Sequence, residues 1–276
     1  LRSATLQTIN QKLPIKPNQM TIIYNSLSAR LRLLSSVCGL QHLSGVKAAG
    51  AFVLPLVLSF MLALTTSKTN AQVSGYAFAQ SSGTYTAITG GTALYSGNFD
   101  DGTTSQTLPF TFRYNNVDYT QVWVATNGHL VFGAADPTAG AFGSAGVISG
   151  TTVTTGAVAA WAGDLNGWTG TLGGQTAEVR AEVIGTAPNR TFVAQWRCRP
   201  AYATSTTAVR WINFQIRLSE GTNQVQLVYG ANGNIVGTTA SATTKQIGLR
   251  GASNADFNNR TNTTTVLLNA STAGTL

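Results

Sequence analysis

Two short turns carry the side chains with the most chemical potential in this chain. Asp100-Asp101-Gly102 and Asp164-Leu165-Asn166-Gly167 each set hard oxygen donors on a glycine-containing turn. Ca²⁺ gathers six to eight such oxygens, so Asp100, Asp101, Asp164 and Asn166 are the candidate ligands for a cation. Neither turn completes the twelve-residue calcium loop with its closing Glu. Asp and Asn also stabilise turns through their own side chains, so the alternative is that no cofactor is held at all. Trp168 follows immediately, flanked by Gly167 and by Thr169-Gly170. An aromatic ring there could stack on a sugar while Asp164 and Asn166 hold its hydroxyls, which makes Trp168, Asp164 and Asn166 the candidate ligand-binding set. The other tryptophans, Trp123, Trp161, Trp196 and Trp211, are expected in the core or between sheets. Arg197, Arg199 and Arg210 could pair with an anionic glycan, or stand on solvated strand faces.

Catalytic groups are sparse. His42 lies in the N-terminal segment, which leaves His129, placed just after a turn where exposed polar residues are ordinary. No cluster at metal-ligand spacing surrounds it. Cys198 lacks a second histidine to act as base; it shares a strand face with Phe192, Ala194 and Trp196 and reads as a small buried apolar residue. Glycosidases need two carboxylates about 5–5.5 or 6.5–9.5 Å apart. Glu178 and Glu182 share a strand face but are about 13 Å apart along it; with Arg180 between them they read as a solvated charge ladder. Asp100-Asp101 could act with a carboxylate from another strand, although nothing in the sequence proposes which. The expectation is a protein that is not an enzyme, with a glycoside hydrolase as the nearest enzyme class.

The elements that must position these turns are strands. Past Gln72 no stretch keeps a helical period, and period-two alternation recurs. Ala177, Val179, Ala181 and Val183 alternate with Glu178, Arg180 and Glu182; Ile212, Phe214, Ile216 and Leu218 alternate with Trp211, Asn213, Gln215 and Arg217. Turn signals separate such runs: Asn115-Asn116, Asn127-Gly128, Gly185 to Arg190, and Gly221-Thr222-Asn223. Asn127-Gly128 predicts a type I′ hairpin, whose two central residues take positive φ. Short strands with Gly/Asn turns and no helical crossovers predict a single all-β domain, an antiparallel β-sandwich or jelly roll. The stretch 134–157 reads as a long loop joining two halves, either a binding element or a plain connection.

Charge divides the chain. Residues 1–71 hold seven basic residues and no acidic one, whereas residues 72–276 hold ten basic and nine acidic. The net +8 is thus +7 from the leading segment and +1 from the rest. The high pI is a targeting signature, and nucleic acid is not an expected partner. Residues 46–71 read as a secretory signal peptide: Lys47, an uncharged run from Ala48 to Leu64, and a small-residue site ending at Ala71. The membrane is then met only through that segment, during export. Residues 1–45 are an uncertain leader or upstream read-through, and 72–276 is the extracellular domain. Cys38 leaves with the leader, so the domain keeps one thiol and must hold together by its core.

The run LPFTFRYNNVDYTQVWVATNGHLVFG (108–133) resembles a motif of bacterial surface proteins and nidogen-type extracellular domains. AVAAWAGDLNGW (157–168), GTAPNRTFVAQWR (185–197) and EGTNQVQLVYG (220–230) continue the likeness in order. Together they resemble extracellular modules of Bacteroidetes proteins exported by the type IX route, over about 75–270. The resemblance implies a secreted or cell-surface location and an adhesive or scaffolding role. One departure concerns the acidic turn, which often has paired acids; here Gly163 precedes Asp164. The sorting domain of type IX cargo is not seen either, as expected of a C-terminally truncated sequence.

The functional expectation is a non-catalytic extracellular binding or adhesion module, whose partner is a glycan or a surface protein. The alternatives are a secreted polysaccharide hydrolase or its accessory domain, and a structural stalk.

Overall fold

A computed structural model describes residues 20–25, 72–133, 148, 156–200, 202, 204, 210–233, 245–253, 255–261 and 272–273. In chain order its strands are β1 (Met20–Asn25), β2 (Ala77–Ser82) and β3 (Thr92–Ser96), then a run of four: β4 (Thr103–Tyr114), β5 (Val117–Ala125), β6 (His129–Phe132) and β7 (Ala157–Ala162). A second run of four follows: β8 (Glu178–Ile184), β9 (Thr191–Cys198), β10 (Trp211–Ser219) and β11 (Val225–Gly233). Then come β12 (Gln246–Arg250), β13 (Phe257–Thr261) and β14 (Thr272–Ala273).

One sheet has the order β2-β1-β11-β10-β9-β8-β3, the other β14-β13-β12-β7-β6-β5-β4. Every pairing between these strands is antiparallel. Within each run of four, successive strands pair, so the domain is a sandwich of two meanders. A jelly roll is built from Greek keys instead.

The core lies between the sheets. Ile212, Phe214, Ile216 and Leu218 of β10 point inward and are fully buried, as their alternation predicts. Phe192, Ala194, Trp196 and Cys198 of β9 do the same, and burial pushes the Cys198 thiol pKa well up, which keeps it protonated and inert. They face Phe112, Tyr114, Val122, Val124, Leu130 and Phe132 of the other sheet. Two polar bridges cross the gap: Trp196 Nε1 donates to the Ala125 carbonyl at 2.9 Å, and the Tyr229 hydroxyl donates to the Ala160 carbonyl at 2.6 Å.

The alternation on β8 holds through Ala181 and fails at Val183, which is 39% exposed. There β8 also loses its edge neighbour, since β3 pairs with it only from Glu178 to Ala181. The polar ladder on its other face is real, since Arg180 pairs with Glu178 at 2.7 Å and Glu182 accepts the Gly90 N–H. Gln195 and Gln215, on the outer face of their sheet, are buried all the same. Residues 83–90 run across them, and Tyr85, Thr86 and Ile88 hydrogen-bond to the two amides. On the other sheet Ile148 packs over Val131, Ala157 and Ala159, which explains why AVAAWA reads as an unbroken apolar run. Apart from Ile148, Gly156 and Ala157, the loop expected over 134–157 lies outside the described residues.

The hairpin expectation needs a correction. Both Asn115 and Asn116 have positive φ, 48° and 62°, so the two-residue type I′ turn joins β4 to β5 there. Between β5 and β6 only Gly128 has positive φ, 82°, and its N–H donates to the Ala125 carbonyl. Thr126-Asn127-Gly128 is therefore a three-residue loop, a turn followed by one left-handed glycine. A Cβ at Gly128 would collide with the Trp161 carbonyl oxygen.

β1 falls within residues 1–45 and lies between β2 and β11, paired with both. Residues 46–71, expected to be a signal peptide ending at Ala71, lie outside the described residues. Among the described residues no helix is long and apolar enough to cross a membrane.

Candidate functional site

Four connections meet at one end of the sandwich: the β3–β4 loop, the β5–β6 turn, the loop after β7, and the segment leaving β9. Backbone bonds knit them. Gly167 N–H donates to the Phe99 carbonyl, Arg199 N–H to Asn166 and Tyr202 N–H to Asp164, each at 2.8 Å. Gly167 is required by this approach, because a Cβ there would collide with the Gly97 carbonyl oxygen.

Asn127 is the hub. Its Nδ2 donates to Asp101 Oδ1 at 2.8 Å, and its Oδ1 accepts the Leu165 N–H at 2.9 Å. One buried amide thereby fixes both acidic turns. Thr126 assists: its hydroxyl donates to the Asp100 carbonyl and accepts from Gly102 N–H. Asn127→Ala is expected to destabilise the domain by about 1–3 kcal/mol, since the buried Leu165 N–H loses its acceptor. Chemical denaturation measures this; a loss under about 0.5 kcal/mol contradicts the role.

The two acidic turns converge. Carboxylate oxygens of Asp100, Asp101 and Asp164 lie within 4.8 Å of one another. Partial burial, then the charges of Asp100 and Asp101, raise the Asp164 pKa, and Lys245 opposes the rise. The sequence departure at Gly163 has a steric meaning here, since a Cβ at 163 would run into the Lys245 ammonium. The acid that does not precede Asp164 is replaced in space by the 100–101 pair. As a cation site the cluster fits in donor chemistry: three carboxylates offer part of the oxygen shell that Ca²⁺ takes, with the Lys245 charge competing for Asp164.

Beside the cluster is a cavity of about 270 Å³, lined by Asn98, Asp100, Asn166 and Trp168 on one side of the chain and Arg199, Tyr202 and Thr204 on the other, among others. Of the three acids only Asp100 lines it. The expectation for Trp168 is corrected: the residue is only 4% exposed, belongs to the core, and donates Nε1–H to the Gln175 carbonyl. Gly167 before it admits the close approach of Gly97 and Phe99, and Trp168 is a wall of the cavity and no open platform. Tyr202, 50% exposed, is the aromatic that the cavity offers to a ligand. Sequence reading misses it because it lies four residues past the end of β9 without any turn signature of its own.

His129 is likewise corrected from exposed to fully buried. It faces the outer side of its sheet, and its Nδ1 lies 3.2 Å from the Asn127 carbonyl. A carbonyl only accepts, so Nδ1 carries the proton. Burial lowers the imidazole pKa to about 4.

The sandwich with its polar cavity carried on loops at one end is the class of protein defined by this geometry. Over residues 75–275 the chain matches the family described as NIDO related, and it belongs to that family. Neither a curated protein nor a solved structure matches it. The nidogen-type motif segments build the site: 108–133 supplies Asn127, and 157–168 supplies Asp164 and Asn166.

Proposed function

We propose that the chain is a non-catalytic extracellular binding or adhesion module, exported through its leading segment and displayed on or released from a bacterial surface, with a glycan as ligand. The observation that carries this reading is the cavity, in which Tyr202 can stack on a sugar face while Asn98, Asp100, Asn166 and the threonines meet its hydroxyls. Its volume, just under the roughly 300–1,000 Å³ of drug-sized sites, suits one or two rings. Membership of the NIDO-related family supports the extracellular location. The type IX route and the Bacteroidetes likeness are part of the proposal, as is cleavage after Ala71. That cleavage would cut β1 from the rest of its sheet and leave β2 and β11 to pair otherwise.

A hydrolase is the second reading, because the structure supplies Asp164 as the partner that Asp100-Asp101 needs. Binding is favoured because a glycosidase sets its two carboxylates on either side of the scissile bond, whereas only Asp100 reaches the cavity.

Affinity electrophoresis in gels carrying a panel of polysaccharides tests the proposal. The full chain is expected to be retarded by at least one of them. Tyr202→Ala should weaken that retardation at least about fivefold, the scale of one lost stacking contact. A chelator should weaken it further if the acid cluster holds a cation beside Asp100. Free migration through every gel overturns the binding reading, and release of reducing sugar by wild type but not by Asp164→Asn replaces it with the hydrolase.

A further inference from the structure

We infer that the cavity selects glycans bearing carboxylates, with hexuronate residues as the ligand class and Arg199 as the residue that receives the acid group. This rests on the glycan reading above and deepens it.

Arg199 is 4% exposed and lines the cavity. Its position is set by its own backbone, because Arg199 N–H donates to the Asn166 carbonyl at 2.8 Å. Asn166, itself buried, lines the same cavity. Burying a guanidinium in a protein wall is costly, and burial pulls its pKa below the usual arginine value. A carboxylate entering the cavity would meet this cation in its wall. Guanidinium and carboxylate match as planar two-pronged groups, and the pair gains strength where water is excluded.

The rest of the lining indicates what carries the carboxylate. Asn98, Asn166, Thr169, Thr171 and Thr204 offer neutral donors and acceptors, which suit hydroxyls. Tyr202 offers a ring face. An acidic peptide would bring a second and third carboxylate toward Asp100, which lines the cavity with Asp101 and Asp164 behind it. A uronate ring brings one acid group and several hydroxyls, and so can meet Arg199 while turning hydroxyls toward Asp100.

The test needs no mutation in its first arm. The full chain is run in gels containing polygalacturonate, the same polymer after methyl esterification, and poly-glutamate, at equal mass and about 0.15 M salt, where long-range charge effects are screened. Retardation by polygalacturonate at least about tenfold stronger than by the esterified polymer is expected, since a charge-assisted bond is removed. In the second arm Arg199→Gln is expected to abolish that preference, and Arg199→Lys to restore only part of it, because the ammonium keeps the charge but not the fork. Circular dichroism accompanies each variant. Equal retardation by the free and esterified polymers, or a preference unchanged in a folded Arg199→Gln, overturns the uronate inference and leaves glycan binding standing. Retardation by poly-glutamate as strong as by polygalacturonate overturns the sugar class. Retardation by no polysaccharide of any charge overturns the glycan reading itself.

Discussion

Trp196→Ala is expected to destabilise the domain by about 3–5 kcal/mol, the range for removing a buried tryptophan. Three properties put it at the upper end. The side chain is fully buried between the sheets, and its ring stacks on Phe214 with centroids 5.1 Å apart. Its Nε1–H is also a polar bridge between the sheets, donating to the Ala125 carbonyl. Deletion therefore opens a cavity and strands a carbonyl in a dry core. Trp196→Phe separates the two losses, since it restores most of the volume and leaves only the carbonyl unmet, at about 1–3 kcal/mol. Urea unfolding followed by circular dichroism gives both values. For a domain of this size the alanine variant should melt roughly 6–20 °C lower. A drop below about 1 kcal/mol would mean that the sheets do not pack with Trp196 between them.

Mild acid should weaken the domain through His129. The unfolded imidazole titrates near 6.5, and burial holds the folded one at about 4. Below pH 6.5 the unfolded chain takes up a proton that the native state refuses. The stability is complete above pH 6.5, falls as pH drops toward 4, and changes no further through this group below that. At about 1.4 kcal/mol per pH unit over these 2.5 units the loss approaches about 3.5 kcal/mol. Two carboxyls also contribute, with signs opposite to each other. Glu220, held at about 2 by Arg190, withdraws its contribution as pH falls below the ordinary Glu range. Asp164, raised by burial and by its acidic neighbours, is relieved by protonation. Between pH 6.5 and about 4.5 the histidine therefore sets the fall, because Glu220 stays ionised there and Asp164 acts with the opposite sign. His129→Gln should flatten the stability profile there, and an unchanged slope would show that another group carries it.

Much of this fold is legible in the sequence because a half-buried strand must alternate. Ile212, Phe214, Ile216 and Leu218 face the core as their spacing requires. What alternation cannot show is what lies over the other face. Gln195 and Gln215 look like solvent positions, and are buried because residues 83–90 cross them. The two acidic turns can be picked from residue type alone. Their convergence cannot, because it depends on Asn127 bonding to both, and Asn127-Gly128 reads in the sequence only as a hairpin turn. Trp168 shows the reverse error: loop-like neighbours suggest an exposed ring, but Gly167 beside it lets Gly97 and Phe99 pack close, and the ring is buried. Arg199 and Tyr202 stand at a strand end with no local pattern, and only the knitting of their backbone to Asn166 and Asp164 reveals them as cavity walls.

The most direct test follows backbone amide resonances of the labelled domain 72–276 during titration with an oligosaccharide of a polymer that retards it. Shifts should concentrate at Asn98 to Asp101, Asn166 to Leu172, Arg199, Tyr202 and Thr204, and leave the opposite end, Asn115-Asn116 and Gly221 to Gln224, unmoved. Shifts confined to that opposite end or to the outer sheet faces would place the ligand elsewhere and contradict the assignment of the cavity as the binding site.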